Sequence, residues 1–385
     1  MWRALAGSFR REVSWLGANP WDLALLTIAP LALLVVLGWM FVASVAQQLP
    51  IAYVDQDHSA ASRQLAANLE ASPRVKIAAR TADLAQAWPL VRSGKVWAVV
   101  YVPPHAEREI LAGRQAVVFV YENAAFYSLG TLASMGAKEA IAALSTDLAE
   151  TLAKTRNIPL PRITAPQVQS TVLFNPQLSY EWFLEALLQP GVLHLMMSCA
   201  VVMAVGRELR DRTIHAWMVE SRPGLALAGK LSPYVLAFTA WNLLGVGWLC
   251  GVRGWGVHGS MSALIAGQLL LYTAYAAIAA MITLIVKDIA TGLSAAAVYG
   301  GPAITYSNAT LPTIDAPLFT QIWSRALPYT SYIELQMQQM FMGAPAADSV
   351  RPLAALAAFT LVPFLIARAI LNRRAGQQAL APRPA

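Results

Sequence analysis

The clearest chemical pattern in the sequence is Gly224 to Lys230, GLALAGK, which matches the opening of a phosphate-binding loop, G-x-x-x-x-G-K. The next residue is Leu231, where such a loop needs Ser or Thr to bind magnesium. No buried strand precedes the stretch, and an apolar run typical of a membrane span follows it. We therefore expect no nucleotide site here, and any ATP hydrolysis that drives this protein must take place on another chain.

The histidines, serines and acidic residues form no recognisable catalytic pattern, because neither H-E-x-x-H nor G-x-S-x-G occurs. The sequence therefore predicts no catalytic, cofactor-binding or metal-binding residue. Cys199 and Cys250 both lie in apolar runs. We interpret them as small buried side chains rather than as a disulfide or zinc ligands.

Two ionisable residues, Glu185 and His194, fall within an apolar run from Phe183 to Val205. Ionisable groups at membrane depth are functional candidates, so both are candidates for lining a substrate path. The alternative is that they pack against neighbouring helices or reach the membrane interface. Their separation of nine residues is about 2.5 helical turns, so the two side chains project to opposite sides and cannot pair directly.

The composition indicates that these residues lie in a membrane protein. Of 385 residues, 57% are hydrophobic and 13% are charged, against about 45–50% apolar and about 25% charged in soluble domains. This argues against a soluble enzyme and against a disordered chain. The net charge of +7 suits a membrane protein with positive loops in the cytoplasm. Its basic residues do not cluster with aromatic residues on one polar surface, so we expect no nucleic-acid partner.

Six apolar runs approach or exceed the roughly 20 residues that a transmembrane helix needs. They are residues 23–46, 183–205, 231–251, 263–286, 289–306 and 353–371. The fifth is interrupted by Gly300-Gly301-Pro302. For the first run, a signal peptide cleaved after Ser44-Val45-Ala46 is the alternative. The run is longer than the usual apolar core of about 7–15 residues in signal peptides, which favours an uncleaved anchor.

The segment between the first two runs is polar and mixed in charge, and it alternates between strand and helix patterns. Strands are predicted at 51–55, 75–79, 96–102 and 116–122, and helices at 60–71, 82–93, 104–112 and 126–156. The predicted fold class is therefore an α-helical polytopic membrane protein with six transmembrane helices and an inserted α/β extracytoplasmic domain.

Lys and Arg in short loops set the orientation, and they concentrate in segment 206–230 and in the C-terminal tail. Both termini are therefore expected in the cytoplasm. The N-terminal segment reads as an amphipathic helix on the membrane surface, with Trp2, Leu5, Phe9 and Trp15 on its apolar side. The predicted parts are a surface helix 1–20, a first span 21–46, an external domain 47–180, five spans within 181–371 and a tail 372–385.

A short helix is predicted in the cytoplasmic segment. Ile214, Trp217 and Met218 stand at positions i, i+3 and i+4 and share one helical face. Such a face either rests on lipid headgroups or docks into a groove on a cytoplasmic partner.

Three segments resemble permeases of ABC-2 type transporters. Residues 206–214, GRELRDRTI, are similar to the family's G-R-E-x-x-x-x-T-I/L pattern after the second span, through Gly206, Arg207, Glu208, Thr213 and Ile214. Residues 229–236, GKLSPYVL, are similar to the start of its third span, and residues 327–345 resemble the stretch before its last span. In that last stretch, Gln338 and Gln339 stand where the family has a basic residue.

The resemblance implies a permease subunit of an ATP-driven exporter in a bacterial inner membrane, moving a drug or another hydrophobic or lipid-like compound. ATP and magnesium would bind a partner ABC ATPase, and this chain would bind no cofactor. A second permease subunit, identical or different, is implied, as are membrane lipid and a periplasmic adaptor as partners. The implied coupling residues are Arg207, Glu208, Thr213, Ile214, Trp217 and Met218.

Within that set, Trp217 is the predicted anchor on the ATPase. Two alternatives stay open. One is a proton-coupled secondary transporter that uses Glu185 or His194, although such folds usually have repeated halves. The other is a membrane-anchored sensor or scaffold whose external domain binds a ligand.

Overall fold

The computed structural model describes residues 2–41, 46–112, 116–123, 127–156, 181–218, 222–310 and 316–379, together with Asn175, Ser179 and Thr313. The chain divides into two compact units. A helical unit comprises Met1–Ser44 and Val172–Ala385, and the other unit is Val45–Thr171.

The helical unit begins with helix α1 (Trp2–Ala18), followed by α2 (Pro20–Leu26) and α3 (Ile28–Met40). Every fourth residue of α1 from position 4 is buried, namely Ala4, Ser8, Glu12 and Leu16. This spacing places them on one helical face. The buried face of α1 therefore carries both polar and apolar side chains, and Glu12 takes part in its contacts with the rest of the chain.

The second unit is built around a four-stranded sheet. Its elements are β1 (Leu49–Asp55), α4 (Ala60–Ala71), β2 (Val75–Thr81), α5 (Leu84–Arg92), β3 (Ala98–Val102), α6 (Ala106–Leu111), β4 (Phe119–Glu122) and α7 (Tyr127–Arg156). The strand order is β2-β1-β3-β4, with β1 parallel to β2 and β3, and β4 antiparallel to β3. All four predicted strands and the predicted α/β character are confirmed. The predicted end of this domain at residue 180 falls in a stretch that is mostly outside the described residues.

The helical unit resumes with a π-helical turn at Glu181–Glu185. It continues with α8 (Ala186–Arg210), α9 (Ile214–Trp217), α10 (Pro223–Gly251), α11 (Met261–Val286), α12 (Ile289–Gly300), α13 (Leu318–Arg325), α14 (Pro328–Gln336) and α15 (Val350–Ala379).

Among the described residues, five helices are long and apolar enough to cross a membrane. They are Pro20–Met40, Glu181–Arg210, Pro223–Gly251, Met261–Val286 and Ala346–Arg374. Six spans are therefore not confirmed. The missing one is the predicted fifth, since α12 ends at Gly300 after 12 residues. That is about 18 Å of helix against an apolar bilayer core of about 30 Å. The Gly-Gly-Pro stretch ends the helix, because proline supplies no backbone N–H.

The chain from α12 onwards nevertheless runs back along α8 in shorter pieces. At the C-terminal end of α8, a Cβ on Gly206 would lie 2.5 Å from Cγ1 of Ile289. Closer to the start of α8, a Cβ on Gly191 would lie 2.6 Å from Ile304. Two glycines in α8 thus let this returning segment approach closely.

At the start of α8, the returning segment is fixed by hydrogen bonds to backbone carbonyls. Pro190 has no N–H to donate to the carbonyl of Ala186 four residues earlier. The side-chain amide of Gln336 donates to that carbonyl at 2.6 Å, and the hydroxyl of Tyr329 donates to the Leu187 carbonyl at 2.5 Å. The segment from α12 to α14 therefore extends along the whole length of α8.

The last helix, α15, runs parallel to α11. The guanidinium of Arg374 donates to the Leu284 carbonyl at 2.8 Å, and the hydroxyl of Thr360 donates to the Leu270 carbonyl at 3.4 Å. A Cβ on Gly224, at the start of α10, would lie 3.1 Å from Arg368. The last described turns of α15, the end of α8 and the start of α10 are thus at one end of the helical unit. We call it the Arg207 end, and the opposite one the Glu185 end.

Candidate functional site

The Arg207 end is organised around the packing of α1 on α10, which depends on Gly229. A Cβ at Gly229 would lie 2.3 Å from the carbonyl oxygen of Leu5, so a larger residue would push α1 away. The stretch that matches a phosphate-binding loop belongs to continuous helix α10, which starts at Pro223. Its glycine and lysine take part in helix packing.

A buried ammonium joins three helices at this contact. Lys230 Nζ, on α10, donates to Glu12 Oε2 of α1 at 2.5 Å and to Glu208 Oε1 of α8 at 2.8 Å. The Lys230 side chain is 1% exposed, and the two carboxylates are 2% and 3% exposed. Charges this deeply buried persist in proteins when they are paired and hydrogen-bonded.

Arg207 completes the coordination of Glu12. Its Nη2 atom donates to both carboxylate oxygens at 2.8 and 2.9 Å, and its Nη1 atom reaches Asp22 at 3.4 Å. The guanidinium stacks over the ring of Trp15 at 4.1 Å, an arrangement favourable for a cation and an indole. The hydroxyl of Tyr234 adds a further hydrogen bond to Glu12 Oε1 at 2.6 Å.

Glu208 ties the turn after α8 to the same group. Its carboxylate accepts hydrogen bonds from Arg11, at 2.9 Å, and from the hydroxyl of Thr213. The backbone N–H of Thr213 donates to the Glu208 carbonyl at 3.0 Å. Arg212 between them has a φ of +55°, a left-handed conformation that reverses the chain direction. We refer to Glu12, Arg207, Glu208 and Lys230 as the ionic cluster.

The electrostatics of the ionic cluster favour the ionised form of Glu12. Burial by itself raises the pKa of Glu12. The positive charges of Lys230 and Arg207, with the hydrogen bonds from Lys230 and Tyr234, outweigh burial and hold that pKa below its ordinary value of 4.5. Glu12 therefore stays ionised at neutral pH, and two carboxylates balance two cations.

The apolar face that the sequence predicts for docking lies inside the chain. Ile214, Trp217 and Met218 are 4%, 1% and 6% exposed. The indole N–H of Trp217 donates to Ser8 Oγ at 3.0 Å and to the Ala226 carbonyl at 3.2 Å. In this structure the indole of Trp217 is occupied within the chain, where it holds α9 against α1 and α10. A coupling role for the segment stays a prediction.

Beside the ionic cluster the surface forms a cleft of about 280 Å³. It is lined by Arg11, Glu12, Ser14, Trp15, Ala18, Arg207, Glu208, Asp211 and Thr213. Trp15 is 37% exposed and the Arg11 side chain is 35% exposed. Sequence reasoning missed this contribution of α1. The signal available in the sequence was Glu12, the one acidic residue in a helix whose other charged residues are basic.

The two candidates for a substrate path lie in different surroundings. His194 is fully buried, and its ring centroid lies 4.1 Å from that of Tyr275 and 5.5 Å from that of Tyr329. Its Nδ1 atom is 3.1 Å from the Pro190 carbonyl oxygen. Glu185 instead borders a groove between α3 and α10. Glu185 and His194 therefore do not pair in the structure, which agrees with the prediction from their helical spacing.

Comparison with known proteins identifies a family that this chain matches. Residues 20–369 match the family described as ABC-2 family transporter protein. No curated protein and no solved structure matches the chain. The matched range includes Arg207, Glu208 and Lys230, whereas α1 with Glu12 precedes it.

Proposed function

The chain belongs to the ABC-2 family of transporter membrane proteins, and we propose that it exports a hydrophobic or amphipathic compound from the cytoplasm or inner membrane of a bacterium. It is a permease subunit of a family that carries no ATPase domain. ATP and magnesium therefore bind a partner ABC ATPase in this proposal. A second permease subunit completes the pathway, and an adaptor joins on the outer side.

The proposed orientation places the Arg207 end in the cytoplasm. Segment 206–230 and the tail carry most of the basic residues of the short loops, and such residues favour the cytoplasmic side. The basic helix α1 packs at the same end. The α/β domain, inserted after α3, then lies outside the cytoplasm.

The observation that carries the coupling proposal is the ionic cluster. It joins α1 to α8 and α10 through buried charges, so these helices cannot separate without exposing unpaired ions to an apolar interior. A push from an ATPase on the adjacent cleft would therefore reach both membrane helices together.

The predicted coupling residues take two different parts in this proposal. Arg207, Glu208 and Thr213 transmit the movement through the ionic cluster and the turn. The apolar residues Ile214, Trp217 and Met218 hold the turn against α1 and α10 from inside.

The experiment is ATPase capture and ATP-dependent efflux by the full complex carrying Trp15→Ala in the cleft. Removing an aromatic side chain from a docking surface costs about 2 kcal/mol or more, which is about thirtyfold in affinity. The matched control is Trp21→Ala, because Trp21 is 87% exposed and does not line the cleft. We expect lower capture and efflux for Trp15→Ala alone.

A second variant, Asp211→Arg, reverses a charge at the same cleft. Unchanged capture and efflux in both cleft variants would refute the coupling surface. Absence of ATP-dependent efflux by the unmodified complex would refute the export function itself.

A further inference from the structure

An apolar groove of about 710 Å³ lies between α3 and α10, near the Glu185 end. It is lined by Leu31, Leu34, Val35, Gly38, Trp39, Glu185, Leu243, Leu244, Gly245, Gly247, Trp248 and Val252. Its volume falls within the range of about 300–1,000 Å³ that is typical of small-molecule sites. Glu185 is the one ionisable residue of this lining.

Glu185 lacks a countercharge partner in the groove wall. The residue is 1% exposed, and its Oε2 atom accepts no hydrogen bond from the residues that the structure describes. The nearby Arg253 is engaged by Glu181, to which its Nη2 atom donates at 3.0 Å. A carboxylate at membrane depth is costly unless it is paired or neutralised. The groove therefore offers a carboxylate whose ionised form a positively charged ligand would stabilise.

Two indoles in the lining add a second feature that favours a cation. Trp39 is 79% exposed and Trp248 is 44% exposed, so both remain accessible to a molecule in the groove. Indole faces attract cations, and organic ammonium groups in particular. Together with leucine and valine side chains, they match a molecule that is both charged and apolar.

The lining also distinguishes between occupants. It contains no Lys, Arg or His, so it gives no support to the phosphate of a lipid headgroup. An acyl chain would fill the apolar part but would leave the carboxylate of Glu185 unpaired. A cation with apolar substituents satisfies both parts of the groove.

We propose that this groove binds a lipophilic monovalent cation, with its charge beside Glu185 and its apolar groups against α3 and α10. The inference rests on the proposed export function, for which it names a substrate class. In the proposed orientation the site lies in the outer half of the membrane, along the route out of the cell.

The test compares two ions of the same shape and opposite charge, tetraphenylphosphonium and tetraphenylborate. Their binding is measured on the full-length permease in phosphatidylcholine nanodiscs, after subtraction of binding to empty nanodiscs. We expect the unmodified permease to prefer the cation. Glu185→Gln should weaken cation binding by about thirtyfold, as expected when one member of a buried charge pair is removed, and should not weaken binding of the anion.

Two glycine substitutions on α10 test whether the ion binds in the groove. A Cβ on Gly247 or on Gly251 would meet no atom of the described chain within 4 Å, but only Gly247 lines the groove. Gly247→Leu should therefore abolish cation binding by filling the groove. Gly251→Leu, the matched control on the same helix, should leave it unchanged.

Three outcomes would overturn the proposal. They are equal binding of the two ions, unchanged cation binding in Glu185→Gln, and unchanged cation binding in Gly247→Leu. Unchanged cation binding in Gly247→Leu is expected if an acyl chain or a second copy of the protein, rather than the cation, occupies the groove. Because no ATPase is present, a negative result here with intact ATP-dependent efflux refutes this site alone. Cation binding without such efflux refutes the exporter and leaves the site standing.

Discussion

Glu12 and Glu185 are both 1% exposed, yet their surroundings are opposite. At the Arg207 end, Glu12 accepts hydrogen bonds from Lys230, Arg207 and Tyr234. At the other end, Glu185 borders an apolar groove and has one carboxylate oxygen without a partner among the described residues. The chain itself pairs the carboxylate of Glu12, whereas Glu185 is the residue proposed above to bind a ligand.

The difference indicates two kinds of role for a buried charge. A fully paired carboxylate holds helices in a fixed arrangement, because separating the pair exposes both ions. A buried carboxylate that borders an apolar groove, with one oxygen unpaired among the described residues, is poorly explained by stability, because burying a charge is costly unless it is paired. This contrast supports the two proposals, in which Glu12 transmits force and Glu185 binds a ligand.

The largest expected effect is that of Glu12→Ala. It leaves Lys230 and Arg207 buried without their shared carboxylate, which should lower the free energy of unfolding by about 3–5 kcal/mol. Thermal unfolding of the purified permease, together with protease cleavage of α1, measures this. The control is Asp211→Ala, which removes an exposed partner of Arg210 and should change little. Equal stability of the two variants would show that the cluster does not hold α1.

The cluster also shows why part of the site could not be predicted from the sequence. Glu12 binds partners 195 and 218 residues away, and no local pattern encodes such a distance. The sequence predicts α1 as an amphipathic surface helix, with Trp2, Leu5, Phe9 and Trp15 on its apolar side. The structure adds that Ala4, Ser8, Glu12 and Leu16 are buried, and the sequence pattern did not single out these positions.

Hydropathy and strand patterns predicted the structure correctly where a short stretch of sequence is enough to determine the element. The buried strands β1 and β3 are continuous apolar runs, so their pattern was sufficient. Five long apolar helices were predictable for the same reason. The fifth predicted span was not, because its hydropathy is high while Gly300-Gly301-Pro302 ends the helix. Likewise, the Trp217 face has a docking pattern, and only tertiary packing shows that α1 and α10 cover it.

A smaller effect is expected for Trp217→Phe, which keeps an aromatic ring but removes the N–H donor. Loss of the hydrogen bonds to Ser8 and Ala226 should cost about 1–3 kcal/mol of unfolding free energy. The measurement is thermal unfolding of the permease without any ATPase. An exposed docking anchor would leave the stability of the isolated permease unchanged, so that result would restore the original interpretation of Trp217.

The comparison of Glu12 with Glu185 predicts that Glu185→Leu stabilises the protein, whereas substitutions of Glu12 destabilise it. Glu185 has one buried carboxylate oxygen without a partner among the described residues, so an apolar side chain of similar size should raise the free energy of unfolding by about 1 kcal/mol or more. Glu12→Leu is the matched substitution at the paired site and should lower it. Thermal unfolding of both variants without ligand shows whether each substitution raises or lowers the free energy of unfolding. Destabilisation by both would mean that Glu185 has a structural partner.

The smallest expected effect is the pH dependence contributed by Glu12. Its pKa in the folded protein lies below the ordinary value of 4.5, so the ionised form is the one that folding favours. The stability it contributes is complete above that ordinary value and is lost as the pH falls through the lowered pKa. We compare the unfolding free energies of the unmodified permease and Glu12→Gln from about pH 7 down to about pH 3. Their difference should be constant near neutrality and should shrink below about pH 4.5, because protonated Glu12 resembles glutamine in charge.

Asp57 in the α/β domain also has a lowered pKa: burial raises it, but hydrogen bonds from Ser59 and from backbone N–H groups outweigh burial. Its contribution cancels in the difference. A difference that persists undiminished at the acid end would show that the charge of Glu12 does not hold α1 to the membrane helices.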